Sequence, residues 1–125
     1  MNTIFLILVV AVVAFILFMQ WRVFAAGKRL TGRPAPEGAR HDPRGVVYYF
    51  HHPRCGPCRQ MGPVIDEVAA AHPEQVVKVN LAEDPALAQA FGVLATPTTL
   101  LVKDGRITEV IIGARSARRI AALLD

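Results

Sequence analysis

Val46-Val47-Tyr48-Tyr49-Phe50-His51-His52-Pro53-Arg54-Cys55-Gly56-Pro57-Cys58 is the stretch on which the fold turns. Residues 46–50 are β-branched or aromatic and read as a short buried strand. After a brief loop, residues 56–71 change period. Met61, Val64, Ile65 and Val68 then fall on one face, the pattern of an amphipathic helix. Pro57 suits the first turn of that helix, whereas Pro63 inside it predicts a kink. The chain has two cysteines, and both stand at this strand-to-helix junction. A pair two residues apart closes almost no loop, so it is not a stapling disulfide. Its spacing points to reversible disulfide chemistry or to metal ligation.

Downstream, residues 76–80 form a second apolar run. Asp84 and Pro85 open a short helix over 84–91, with the aspartate as cap. Residues 98–103 and 107–112 flank Asp104-Gly105, a strong hairpin dipeptide. Ser116 caps a last helix that buries Ile120, Leu123 and Leu124. The expected order is β-α-β-α-β-β-α. Strands separated by helices, then a hairpin, predict an α/β fold with a mixed sheet and helices on both faces.

Upstream, residues 4–19 carry no polar side chain. As a helix they reach about 24 Å, and continuing through residue 26 brings the segment to bilayer thickness. Trp21 suits the headgroup interface and Arg22 snorkels there. A cleaved signal peptide is the rival reading, with Val23-Phe24-Ala25 as the cleavage site. Met1-Asn2-Thr3, however, lacks the basic residue such a leader carries. Residues 1–26 are therefore expected as a single-pass transmembrane anchor and 4–26 as the bilayer contact. Residues 27–45 are expected as a basic Pro/Gly linker and 46–125 as the folded domain.

The net charge of +4 belongs to the membrane-flanking segment. Arg22, Lys28, Arg29, Arg33, Arg40 and Arg44 stand against Glu37 and Asp42, while charges from Gly45 onward cancel. This gives no basic domain face, so no nucleic acid partner is expected. Cations on the C-terminal flank predict a cytoplasmic domain on a bacterial-type inner (cytoplasmic) membrane. A periplasmic domain is the alternative.

From residue 46 to 124 the chain resembles the thioredoxin family. The likeness rests on Cys55-Gly56-Pro57-Cys58, Pro63, Asp66-Glu67, Lys78-Val79-Asn80 and Phe91-Gly92-Val93. Ala95-Thr96-Pro97-Thr98, Lys103-Asp104-Gly105 and Gly113-Ala114 complete it. The resemblance implies a thioredoxin-like fold and a protein-disulfide reductase whose catalytic residues are Cys55 and Cys58. It implies a cis-proline at Pro97 and a substrate groove bordered by Ala95, Thr96, Gly113 and Ala114. It also implies no metal and no cofactor beyond the redox-active Cys55–Cys58 disulfide. The implied partners are disulfide-containing proteins and a thioredoxin reductase or membrane electron donor. Departures from the family pattern are equally specific. Its first strand and helix are replaced by anchor and linker, which leaves 76–80 as a sheet edge. Arg54 and His51 stand where tryptophans are usual, and Tyr49 where a buried aspartate is usual. Lys78, which in the family approaches that aspartate, has no evident carboxylate.

Cys55 at a helix N-terminus faces unpaired N–H groups that favour its thiolate, while Cys58 lies deeper and resolves the mixed disulfide. Gly56 and Pro57 shape the turn between them. His51, His52 and Arg54, as cations, lower the Cys55 pKa further and stabilise the reduced form. Each pKa unit corresponds to about 30 mV, which predicts a potential somewhat above the thioredoxin value of about −270 mV. Zinc on His51, His52, Cys55 and Cys58 is one alternative. A non-catalytic binding or assembly module is another, and a periplasmic reductant for cytochrome c maturation a third. Covalent haem is disfavoured, since Arg59 stands where Cys-x-x-Cys-His requires histidine.

Overall fold

The computed structural model describes residues 2–40 and 42–124. Met1, His41 and Asp125, which fall within the expected anchor, linker and domain, lie outside the described residues. Among the described residues nine elements follow in order: α1 (Thr3–Leu30), β1 (Val46–His51), α2 (Gly56–Ala71), β2 (Val76–Asn80), α3 (Pro85–Phe91), β3 (Thr98–Lys103), β4 (Arg106–Ile112), α4 (Ala117–Ala121) and a closing 3₁₀ turn, Ala122–Leu124.

The sheet has strand order β2-β1-β3-β4, with β1 parallel to β2 and antiparallel to β3, and β3 antiparallel to β4. Alternation along β1 sends Val46, Tyr48 and Phe50 to one face and Val47 and Tyr49 to the other. The first face packs on Ala88 and Phe91 of α3, and the second on Met61, Ile65 and Val68 of α2 and on Ile120 and Leu123. Phe91 lies 4.7 Å from Tyr48 and 5.4 Å from Phe50 by ring centroids, an aromatic cluster worth more than its buried area alone. Asp104 and Gly105 both have positive φ, as a two-residue hairpin turn requires. Asp84 caps α3 by accepting from the Leu87 N–H, and Ser116 caps α4 by accepting from the Arg119 N–H. Helix α2 runs unbroken through Pro63.

Two features differ from the expectation for the N-terminal segments. Helix α1 continues to Leu30. Beyond it, the segment expected as a basic Pro/Gly linker packs against the domain. Leu30 and Ala39 are buried in the α3-side core. The Gly32 N–H donates to the Ile107 carbonyl, and the Ile107 N–H donates to that of Arg33. Pro34 makes an antiparallel bridge to Arg106, and the Arg40 N–H donates to the Tyr48 hydroxyl at 2.6 Å. The physical reason is the apolar sheet face on the α3 side, which the seven-residue α3 alone does not cover. Its apolar side chains are covered by the nearest chain available. This cover lies over β4 and the α3-side face, so β2 remains an edge. β2 is only five residues long and carries an exposed lysine at its centre, both of which blunt an edge.

Helix α1 is long and apolar enough to cross a membrane, and its apolar side chains from Ile4 to Phe24 are exposed.

Gly92 closes α3 at φ +79°, and a Cβ there would meet Arg33 Nη1 at 2.9 Å and Leu30 Cδ2 at 3.0 Å. Gly92→Ala is expected to lower stability by about 1–3 kcal/mol through the left-handed backbone alone. Loosening of the 30–33 segment adds to that loss. Chemical denaturation measures the sum, and a loss no larger than about 3 kcal/mol, the most the backbone alone supplies, would show that the segment does not seat on α3.

Candidate active site

β1 ends at His51, β3 begins at Thr98, and β4 ends at Ile112. The register pairs Phe50 with Thr98 and Thr98 with Ile112, so the loops following β1 and β4 and the loop preceding β3 meet at one end of the sheet. Those loops carry Cys55, Gly113 and Pro97. A turn closed by the Cys55 N–H on the His52 carbonyl at 3.1 Å delivers Cys55 to the N-cap of α2.

Cys55 and Cys58 form a disulfide with a Cα–Cα separation of 5.2 Å. Cys58 is only 6% exposed, while Cys55 is partly exposed and Gly56 and Pro57 lie open beside it. The Cys58 N–H donates to Cys55 Sγ at 3.2 Å. The upstream sulfur thus sits where a helix offers unpaired N–H groups and the positive end of its dipole.

Thr96–Pro97 is a cis peptide bond. Pro97 is buried, and its carbonyl accepts from the Gly113 N–H at 2.9 Å. The Thr98 hydroxyl donates to the Ala95 carbonyl at 2.7 Å. Ala95 and Ala114 are exposed and Thr96 and Gly113 partly so, which leaves this backbone open along the rim. The Arg115 N–H reaches Met61 Sδ at 3.2 Å and fastens the Gly113-Ala114 loop to α2.

Beneath the dithiol, the Tyr49 hydroxyl donates to the Cys58 carbonyl at 3.3 Å. Burial and the nearby Asp66 carboxylate push the Tyr49 phenol above its usual value near 10. It therefore stays protonated at neutral pH, a hydrogen-bond donor and not a base. Lys78 pairs with Asp66, and both are about half exposed. This partner for Lys78 was missed in the sequence. The signal is faint, because Asp66 and Lys78 lie on different elements, α2 and β2.

His51 stacks on Tyr49 at 5.2 Å between ring centroids, and burial, with Lys78 nearby, lowers its pKa. The expectation of His51 as a cation beside Cys55 is corrected accordingly: its neutral form is favoured. Arg54 stands exposed next to Cys55. His52 Nδ1 accepts the Arg54 N–H at 3.1 Å. Among the described residues no group of three or more His, Cys, Asp or Glu side chains is placed to hold a metal ion.

The lowered His51 pKa fixes a direction of pH dependence. Between the folded value and about 6.5 the unfolded chain binds a proton that the folded chain excludes. Stability contributed by neutral His51 is therefore full above about pH 6.5 and declines as pH falls below it. An NMR titration is expected to place the His51 midpoint below the ordinary histidine value of about 6.5. His51→Phe should remove this part of the acid-side slope in denaturation midpoints. A His51 midpoint above 6.5 would reverse the sign.

Comparison with known proteins agrees with this geometry. A family model described as thioredoxin matches residues 39–125. Thioredoxin 1 of Synechococcus elongatus is 40% identical over 82 residues, covering 64% of this chain and 77% of that protein. The thioredoxin of Alicyclobacillus acidocaldarius is 40% identical over 81 residues, covering 63% and 77%. Among solved structures, oxidised mitochondrial thioredoxin 3 of Saccharomyces cerevisiae superposes with a TM-score of 0.57 at 32% identity. That match covers 66% of this chain and 78% of the yeast one.

Proposed function

This chain belongs to the thioredoxin family, and from that premise we propose a membrane-tethered reductant of protein disulfides. It is a thiol–disulfide oxidoreductase whose redox group is its own Cys55–Cys58 pair. The observation that carries the direction of the proposal is the Cys58 N–H aimed at Cys55 Sγ. It stabilises an anionic upstream sulfur, and the thiolate is the attacking species.

In the reduced protein, Cys55 thiolate attacks one sulfur of a substrate disulfide. A mixed disulfide forms and the other substrate sulfur leaves as a thiolate that takes a proton from water. Cys58 then loses its proton and attacks Cys55 Sγ. The second substrate thiolate departs, the Cys55–Cys58 disulfide closes, and two electrons have passed to the substrate. The backbone at Thr96, in the rim formed with Ala95, Gly113 and Ala114, pairs with the substrate chain. With Tyr49 fixed as a donor and Asp66 held by Lys78, water accepts the Cys58 proton. A dithiol donor, a thioredoxin reductase or a membrane electron carrier, restores the reduced state.

Tethering rests on α1, whose length and exposed apolar side chains suit a bilayer. Phe18 packs on Trp21 at 6.3 Å, and the Arg22 guanidinium lies 5.9 Å from the Phe18 ring. Such an aromatic–cation group belongs at the headgroup layer. With the cations Arg22, Lys28, Arg29 and Arg33 after the span, the domain lies on the cytoplasmic side of a bacterial-type inner membrane. A reporter fused after Asp125 tests that side, and activity of a periplasm-dependent reporter would contradict it.

Cys58→Ser is expected to accumulate mixed disulfides through Cys55 in membranes, resolved by dithiothreitol and absent in a Cys55→Ser, Cys58→Ser double variant. The reduced full chain should reduce insulin, with Cys55→Ser losing at least about 10³-fold, as for removal of a reacting nucleophile. A chain that neither traps partners nor reduces insulin would make this domain a binding module.

A further inference from the structure

The antiparallel run of residues 32–35 beside Arg106 and Ile107 fixes which way α1 travels along β4. Read backwards from Thr31, the helix climbs along β4 toward Ile112. A cleft of about 650 Å³ separates the two. Met19, Val23 and Phe24 line it on the helix side, and Val110, Ile112 and Arg115 on the other. From Thr31 to Met19 the helix rises about 18 Å. From Thr108 to Gly113 the strand covers about 17 Å. Met19 therefore stands level with Gly113, at the end of the sheet that carries Cys55 and Pro97. Residues 3–19 project about 24 Å beyond that end.

This direction has a consequence for the bilayer. A hydrocarbon core about 30 Å thick takes up roughly the first twenty residues of α1. Trp21 and Arg22 then lie at its boundary, within about 5 Å of the level of the redox loops. A second, independent observation points the same way. Among the described residues, Leu94 is the one large hydrophobic outside α1 that is exposed, at 95%. It lies three residues before Pro97, next in sequence to Ala95 of the groove rim. An apolar side chain held fully open there fits a surface that meets lipid or a lipid-bound partner. Leu30, buried in the core, holds the helix to the domain and so sets the orientation.

We infer that the domain turns its redox end toward the membrane, and that it prefers disulfides in polypeptide segments lying at the lipid headgroup layer over those of proteins in bulk solution. This rests on the tethering proposed above. The bilayer supplies one wall, Leu94 and the groove rim the other, and Cys55 attacks a disulfide presented between them.

The test uses the full chain in phosphatidylcholine–phosphatidylglycerol vesicles. In a Cys55→Ser, Cys58→Ser background, bimane is attached through Leu94→Cys or through Lys103→Cys at the opposite end of β3. Headgroup-nitroxide lipid is expected to quench more than half of the emission at position 94 and little at 103. Equal quenching, or more at 103, overturns the orientation while leaving tethering intact. Failure to float with vesicles overturns both.

The substrate class is read with the reduced full chain and one disulfide peptide in two forms, soluble and acylated through a short spacer. A flexible Gly/Ser insertion after Thr31 keeps the tether and frees the domain. It is expected to lower the preference for the acylated peptide about tenfold by diluting the site away from the headgroup layer. Reduction of the soluble peptide stays unchanged. A preference that survives the insertion overturns the inference.

Discussion

One hydrogen bond organises the chemistry of this protein: the Cys58 N–H directed at Cys55 Sγ across the first turn of α2. It exists because Cys55 is the N-cap of a helix whose first turn contains Pro57, a residue with no N–H of its own to place. The helix is held by Met61, Ile65 and Val68 against Val47 and Tyr49, so the cap cannot drift without opening the α2-side core. The sheet register then brings Pro97 and Gly113 to the same end. The reactive sulfur is therefore positioned by backbone and packing and not by a catalytic side chain.

Below the dithiol the polar arrangement is unusual in composition, and only the buried Thr99 hydroxyl beside Tyr49 stands without a hydrogen-bond partner among the described residues. Tyr49 gives its hydroxyl hydrogen to the Cys58 carbonyl, His51 stacks on its ring, and Lys78 turns outward to Asp66. No ionised group is thereby buried under the sulfurs, which avoids the cost of desolvating a charge. The thiolate is favoured by the helix end and the exposed Arg54, with little from His51.

Much of this was legible from residue types at fixed spacing. The strand-to-helix junction at 46–58, the aspartate and serine caps, and the Asp104-Gly105 turn all act through their immediate neighbours. Local signals of that kind survive folding unchanged. The resemblance to thioredoxins added Pro97 and the groove, which no local pattern supplies. What stayed hidden depends on chain segments far apart in sequence. Residues 30–40 show no hydrophobic period, yet Leu30 and Ala39 are buried, because they cover an apolar sheet face that the seven-residue α3 alone does not cover. Lys78 meets Asp66 only once α2 lies on the sheet. The neutral bias of His51 arises from its burial against Tyr49, and sequence adjacency to Cys55 pointed the other way.

The acidity of Cys55 is the property on which this chemistry depends most directly. The rate of iodoacetamide alkylation of the reduced full chain, followed against pH, reports the thiolate fraction of each cysteine. The geometry predicts that Cys55 reacts first, with a midpoint well below the free-cysteine value of about 8.5, while Cys58 stays protected. A Cys55 midpoint at or above 8.5, with both sulfurs equally slow at neutral pH, would contradict it.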